Sequence, residues 1–132
     1  MMRCAIFNNN LVPACPGWEM KQMKVLVDLC IVPIGVGVSL SAYIAECEKV
    51  LTEAGLKTSL HSYGTNIEGE WDDVFAAIKQ CHEKVHEMGA PRITTTIKAG
   101  TRTDRDQTME DKINSVKNKM GVHSLPPDSK TQ

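Results

Sequence analysis

The sequence predicts an α+β sandwich of order βαββαβ with an extra C-terminal helix, on three observations. A β-branched apolar run occupies residues 25–34. Two amphipathic stripes at helical spacing follow, over residues 40–51 and 71–85. Short segments set off by glycines stand between the stripes, and one more strand-like run follows the second. This is the split-βαβ order, which puts both helices on one face of a four-stranded antiparallel sheet of order 4-1-3-2.

Each element has a local reason. Pro33 and Gly35 close the first strand, since neither continues a central ladder well. The loop Gly35-Val36-Gly37-Val38-Ser39 leads into a helix whose apolar positions are Leu40, Tyr43, Ile44, Cys47, Val50 and Leu51. Ser39 or Ser41 stands where an N-cap belongs, and Gly55 where a C′ glycine belongs. Residues 56–63 form the second strand and residues 65–70 a short third, flanked by Gly64 and Gly69. Trp71, Val74, Phe75, Ile78, Cys81 and Val85 mark the second helix, which Gly89 and Pro91 stop. Residues 92–99 supply the fourth strand. Thr108-Met109-Glu110-Asp111 reads as a capping box with Asp in place of Glu. It opens a third helix with Met109, Ile113, Val116 and Met120 on one face.

Outside this pattern, Asn8-Asn9-Asn10, Pro13, Pro16 and Gly17 interrupt any period. Residues 1–23 are expected to be a disordered extension, with Met23 an alternative start, and residues 122–132 a flexible polar tail. The domain is then residues 24–121. A chain of 132 residues has room for one such core.

Composition narrows the function. At 42% hydrophobic and 23% charged the chain is an ordinary globular one, and no run approaches the ~18 apolar residues of a membrane span. A net charge of −1 speaks against nucleic acid, whose binders carry a basic excess. The five cysteines are scattered and without a C-x-x-C pair, which suits small buried hydrophobes in a reducing cytoplasm. The charge is unevenly placed: residues 46–90 hold nine acids against four lysines, and residues 92–120 hold seven bases against four acids. Those halves could pair within or between subunits, or remain separate solvated faces.

Alternation puts Val27, Leu29, Ile31, Leu60, Ile67, Ile93, Thr95 and Ile97 on the helix side. The open face then receives Asp28, Cys30, Val32, Lys57, Ser59, His61, Tyr63, Asn66, Glu68, Thr94, Thr96 and Lys98. Asp28 is the most informative of these, because a carboxylate in a central apolar strand is costly without a partner. It either pairs with Lys98 on the neighbouring strand or receives a cationic or amino-bearing ligand, and Glu68 has the same two readings. Two carboxylates raise acid–base catalysis, but no catalytic constellation emerges, and no G-x-S-x-G is present. The glycine loop before the first helix matches neither a Walker loop nor G-x-G-x-x-G. His82 and His86, at i, i+4 beside Cys81, raise zinc, but their charged neighbours favour a solvated face and no metal site.

Several blocks carry a family likeness: Val32-Pro33-Ile34-Gly35, Ser39-Leu40-Ser41-Ala42-Tyr43-Ile44-Ala45-Glu46, Tyr63-Gly64-Thr65-Asn66-Ile67-Glu68-Gly69-Glu70-Trp71-Asp72 and Pro91-Arg92-Ile93-Thr94-Thr95-Thr96-Ile97-Lys98. With Gly55-Leu56-Lys57, Arg102-Thr103-Asp104-Arg105 and Met109-Glu110-Asp111-Lys112-Ile113-Asn114-Ser115-Val116, they resemble the thiamine-binding-protein-like family over about residues 24–120. The resemblance implies a ferredoxin-like subunit whose sheets join into dimers or dimers of dimers. It also implies thiamine or its hydroxymethylpyrimidine moiety as ligand, held without chemistry. The motif match falls on Ser39, Ser41, Thr65, Glu68, Arg92, Thr95, Lys98, Arg102 and Lys112.

Taken together, these readings predict a cytoplasmic dimer or tetramer that binds a thiamine-like small molecule, has no other cofactor and is not an enzyme. The alternative is an interaction module whose open face serves only oligomerisation. Asp28 and Glu68 are the expected ligand carboxylates, with Ser39, Tyr63, Thr65 and Thr96 as orienting groups. Arg92, Lys98, Arg102 and Lys112 are expected in subunit contacts or ion pairs, the arginines and Lys112 with the acidic middle near subunit contacts.

Overall fold

The computed structural model describes residues 22–121 and the backbone of two short strands before them, β1 (Ala5–Phe7) and β2 (Asn10–Val12), which pair antiparallel. The rest of the expected extension, the expected tail and both Cys4 and Cys15 lie outside the described residues. In β3 (Lys24–Ile34) burial alternates residue by residue: Val25, Val27, Leu29 and Ile31 are buried, and Asp28, Val32 and Ile34 are exposed. That alternation makes β3 the centre of a two-faced sheet.

The elements continue as α1 (Ser41–Glu53), β4 (Lys57–His61), β5 (Gly64–Glu70), α2 (Trp71–Glu87), β6 (Arg92–Gly100) and α3 (Met109–Lys119). The sheet runs β4-β5-β3-β6, antiparallel throughout, which is the predicted order 4-1-3-2. Valines 25 and 27, Leu29, Ile31 and Ile67 of the sheet meet Cys47 and Leu51 of α1 and Val74, Ile78, Cys81 and Val85 of α2 in one core. Cys47 and Cys81 are buried free thiols, as expected of small hydrophobes, and the hydrogen bond of the Cys81 thiol with Cys47 together with burial keeps it above its usual range. Leu60 and Ile97 face the helix side by register, opposite Thr65 and Leu29. They are nevertheless 61% and 40% exposed, because they sit on edge strands at the margin of the helical layer.

Both long helices end in Schellman turns. Gly55 N–H donates to Thr52 and Leu56 N–H to Leu51; Gly89 and Ala90 repeat the pattern on His86 and Val85. The start of α1 departs from expectation. Its N-cap is Leu40, with no side-chain cap bond, so neither Ser39 nor Ser41 caps it. Leu40 lines an apolar cavity beneath the helix, and its carbonyl accepts the N–H groups of Tyr43 and Ile44 at the first turn. At α3 the capping box forms as read: Thr108 Oγ1 accepts from Asp111 N–H at 3.1 Å, and Asp111 Oδ2 accepts from Thr108 N–H at 3.0 Å. These bonds hold the Asp111 carboxyl below its usual range. Otherwise α3 buries no residue, and Ile113, Val116 and Met120 stand exposed along it.

Candidate functional site

Strand lengths create the site. β3 has 11 residues and β5 has 7. β5 pairs with residues 24–29 of β3, whereas residues 30–34 pair with β6 alone. On the β5 side that stretch of β3 is an edge within the sheet, leaving alternate backbone N–H and C=O groups without a strand partner among the described residues. Where β5 would have continued, the Ser62-Tyr63 turn folds back and a cavity of about 290 Å³ opens. Residues 29–32 of β3 form one wall, residues 60–65 another, and the N-cap Leu40 with Ile44, Cys47, Glu48 and Leu51 of α1 the third. This is near the lower end of small-molecule sites, ~300 Å³.

The cavity is aliphatic except at a few points. Glu48 is half-buried on α1, and the hydroxyl of buried Thr65 donates to its Oε1. A carboxylate can accept about four hydrogen bonds. Thr65 supplies one, so Glu48 has capacity left for a donor inside the cavity. Tyr63 stands at the mouth, 87% exposed, in the turn after β4 and not on the strand itself.

Of the expected ligand residues, Tyr63 and Thr65 line this cavity, and Asp28, Ser39, Glu68 and Thr96 do not. Asp28 lies on the open face opposite Lys98, but among the described residues it forms no ion pair with that lysine. Its Oδ1 instead meets His61 Nε2 at 2.9 Å. The cause is Gly64, which lies opposite His61 in the ladder and puts no side chain between the imidazole and β3. Glu68 accepts the backbone N–H of Met109 at 3.1 Å, so it serves an unpaired donor at the start of α3. Ser39 is exposed in the loop before α1, and Thr96 is exposed opposite Cys30.

Within the chain, the four expected basic residues pair locally or not at all among the described residues, and none with the acidic middle. Arg102 forms its fork with Asp104, two bonds of 2.6 Å, and donates to Gln107 at 2.7 Å, all within its own loop. Proximity along the chain wins over the distant acidic middle. Lys57 and Glu110 pair at 2.6 Å, which reverses the expected sense: the base comes from the middle and the acid from the end. Arg92, Lys98 and Lys112 make no ion pair among the described residues. His82 and His86 are not simply solvated. His82 Nε2 lies 2.6 Å from Thr95 Oγ1 and His86 Nδ1 lies 2.8 Å from the Ala90 carbonyl. Burial, and then the neighbouring His86, hold the His82 imidazole below its usual range. Among the described residues no cluster of three metal-ligating side chains forms, and no helix is long and apolar enough to cross a membrane.

Glu48 escaped the sequence reading, although a signal was present. It continues the stripe Leu40, Ile44, Cys47, Leu51 at i+8 from Leu40, a carboxylate in a position that otherwise calls for an apolar side chain.

A four-stranded antiparallel sheet covered on one face by two helices, with a small-molecule-sized cavity under the first, defines a ferredoxin-like α+β protein with an internal pocket. Residues 27–117 match the family described as thiamine-binding protein, and the chain belongs to that family. A UPF0045 protein of Synechocystis is 64% identical over 98 residues, covering 74% of this chain and 81% of its own. Another from Eremothecium gossypii is 46% identical over 102 residues, 76% of this chain and 97% of its own. In three dimensions the fold is similar to MJ1052 of Methanocaldococcus jannaschii, with TM-score 0.68 and 29% identity over 76% of this chain and 99% of that one. A Thermotoga maritima protein given a provisional role in thiamine biosynthesis or salvage shares the fold, with TM-score 0.61 and 20% identity over 70% and 98% of the two chains.

Proposed function

We propose that this protein binds thiamine or its hydroxymethylpyrimidine moiety in the cavity beneath α1, in the cytoplasm, and releases it unchanged. The observation that carries the reading is the half-buried Glu48 carboxylate, bonded to Thr65, in an otherwise aliphatic cavity. Thiamine joins an aminopyrimidine to a cationic thiazolium. The exocyclic amine would donate to Glu48, the rings would lie against Leu29, Ile44 and Leu60, and the thiazolium would remain near the Tyr63 ring at the mouth. The backbone groups of residues 30–34, which have no partner on the β5 side among the described residues, offer further polar contacts. Membership of the thiamine-binding family supports the same ligand class.

Calorimetry of the full-length chain with thiamine, and separately with hydroxymethylpyrimidine, tests the proposal. Saturable heat at one ligand per chain, with the ligand recovered intact, is expected. No heat at millimolar ligand sinks the binding reading, and conversion of the ligand sinks the non-catalytic one.

Self-association is proposed alongside it, because Ile113, Val116 and Met120 of α3 and Val32 and Ile34 of the open face leave apolar surface exposed. Arg92, Lys98 and Lys112, which make no ion pair among the described residues, are candidates for contacts to a second copy. Light scattering at micromolar concentration is expected to return the mass of a dimer or tetramer. A monomer would count against it.

A further inference from the structure

His61 is bonded on both ring nitrogens. Nε2 meets Asp28 Oδ1 at 2.9 Å, and Nδ1 accepts the backbone N–H of Tyr63 at 3.3 Å. A carboxylate accepts and a backbone N–H donates, so the ring between them carries its proton on Nε2 and leaves Nδ1 bare. Only the neutral imidazole satisfies both neighbours. His61 also lines the cavity, and Tyr63 stands at its mouth. We infer that His61 is a positioning residue of the ligand site: its neutral ring, oriented by Asp28, holds the Tyr63 turn over the cavity, and acid weakens binding by releasing that turn. The inference rests on the reading of the cavity as the ligand site.

Imidazoles change charge between pH 5 and 8. A second ring proton would set Nδ1–H against the Tyr63 N–H, two donors at 3.3 Å. It would also put a positive charge on the wall that receives a cationic ligand. Asp28 of β3 accepts from Nε2–H in either ring state and attracts the charged ring more strongly, a gain that offsets only part of the loss at Nδ1 because the pair stands exposed. The other charged or titratable groups around the ring are Lys98 opposite Asp28 on β6, Lys57 on the same face of β4, Glu68 opposite Lys57, and Glu48, Cys30 and Tyr63 in the cavity. Lys57 is already held by Glu110, and Glu68 by Met109 N–H.

Thiamine titrated calorimetrically into the full-length chain at pH 7.5 and pH 5 tests this. Wild type is expected to bind on the order of tenfold more weakly at pH 5, the worth of about one hydrogen bond. His61→Asn puts an amide oxygen where Nδ1 stands and gains no proton, so it should lose clearly less affinity at pH 5 than wild type does. His61→Gln keeps a donor for Asp28 but offers the Tyr63 N–H no acceptor, and should bind weakly at both. Titration of thiamine itself, and of His82 and His86, is common to wild type and variants and cancels in the comparison. An acid loss in His61→Asn equal to that of wild type overturns the inference, as does wild-type binding of equal strength at both pH values. If circular dichroism shows His61→Gln unfolded, the wild-type and His61→Asn pair decides alone. Wild type that binds no thiamine at either pH defeats the underlying reading of the cavity instead.

Discussion

Replacing Glu48 by Gln is expected to weaken thiamine binding about 30- to 150-fold, with little change in stability. The amide oxygen can still accept from the Thr65 hydroxyl, so the contact between α1 and β5 survives. What disappears is the negative charge that an amine or a cationic ring system would meet. A charge-assisted hydrogen bond is worth ~2–3 kcal/mol, which converts to that factor. Glu48→Ala should behave differently, because it also leaves the buried Thr65 hydroxyl without its partner. A melting temperature lowered in the Ala variant and retained in the Gln variant would separate the two roles. Unchanged affinity in Glu48→Gln would remove the carboxylate from the ligand site.

The second large effect is expected at Gly64, where Ala should destabilise the fold by about 2–3 kcal/mol, the cost of forcing atoms into a closed space. A Cβ there would lie 2.5 Å from the Leu29 carbonyl oxygen and 3.2 Å from its carbon, both backbone atoms of the central strand. It would also stand 3.3 Å from Asp28 Oδ1, against the Asp28–His61 bond. Because the two nearest obstacles are backbone atoms and not the end of a flexible side chain, the start of β5 must shift. Thermal unfolding should show a drop of about 10 °C or more for a core of this size. Gly100→Ala is the matched control, since a Cβ there meets nothing within 4 Å. Equal melting temperatures for the two variants would show that the close approach at Gly64 is not constraining.

Gly64 also illustrates how far the chain could be read in advance. As a residue type it marked a strand boundary correctly, and β5 begins on it. Its second role, clearing a path from His61 to Asp28 across the intervening strand, depends on which residue lies opposite which, a matter of register. Lys98 shows the converse. It is the neighbour that alternation assigns to Asp28, and register does place it opposite. The carboxylate nevertheless takes the imidazole, which reaches it unobstructed. Glu68 was correctly placed on the open face, but the backbone N–H that it accepts comes from a helix 41 residues further along the chain.

The division has a physical basis. Local spacing determined the elements: β-branched runs, 3.6-residue stripes, glycines at helix ends and the Thr108–Asp111 box each act within a few residues, and together they specified the ferredoxin-like order. The cavity has no such local signature. It exists because β3 outruns β5 and because α1 crosses above the gap, bringing Glu48 to Thr65 from 17 residues away. Which side chains share a pocket is decided by strand register and helix placement, and those are properties only of the assembled core.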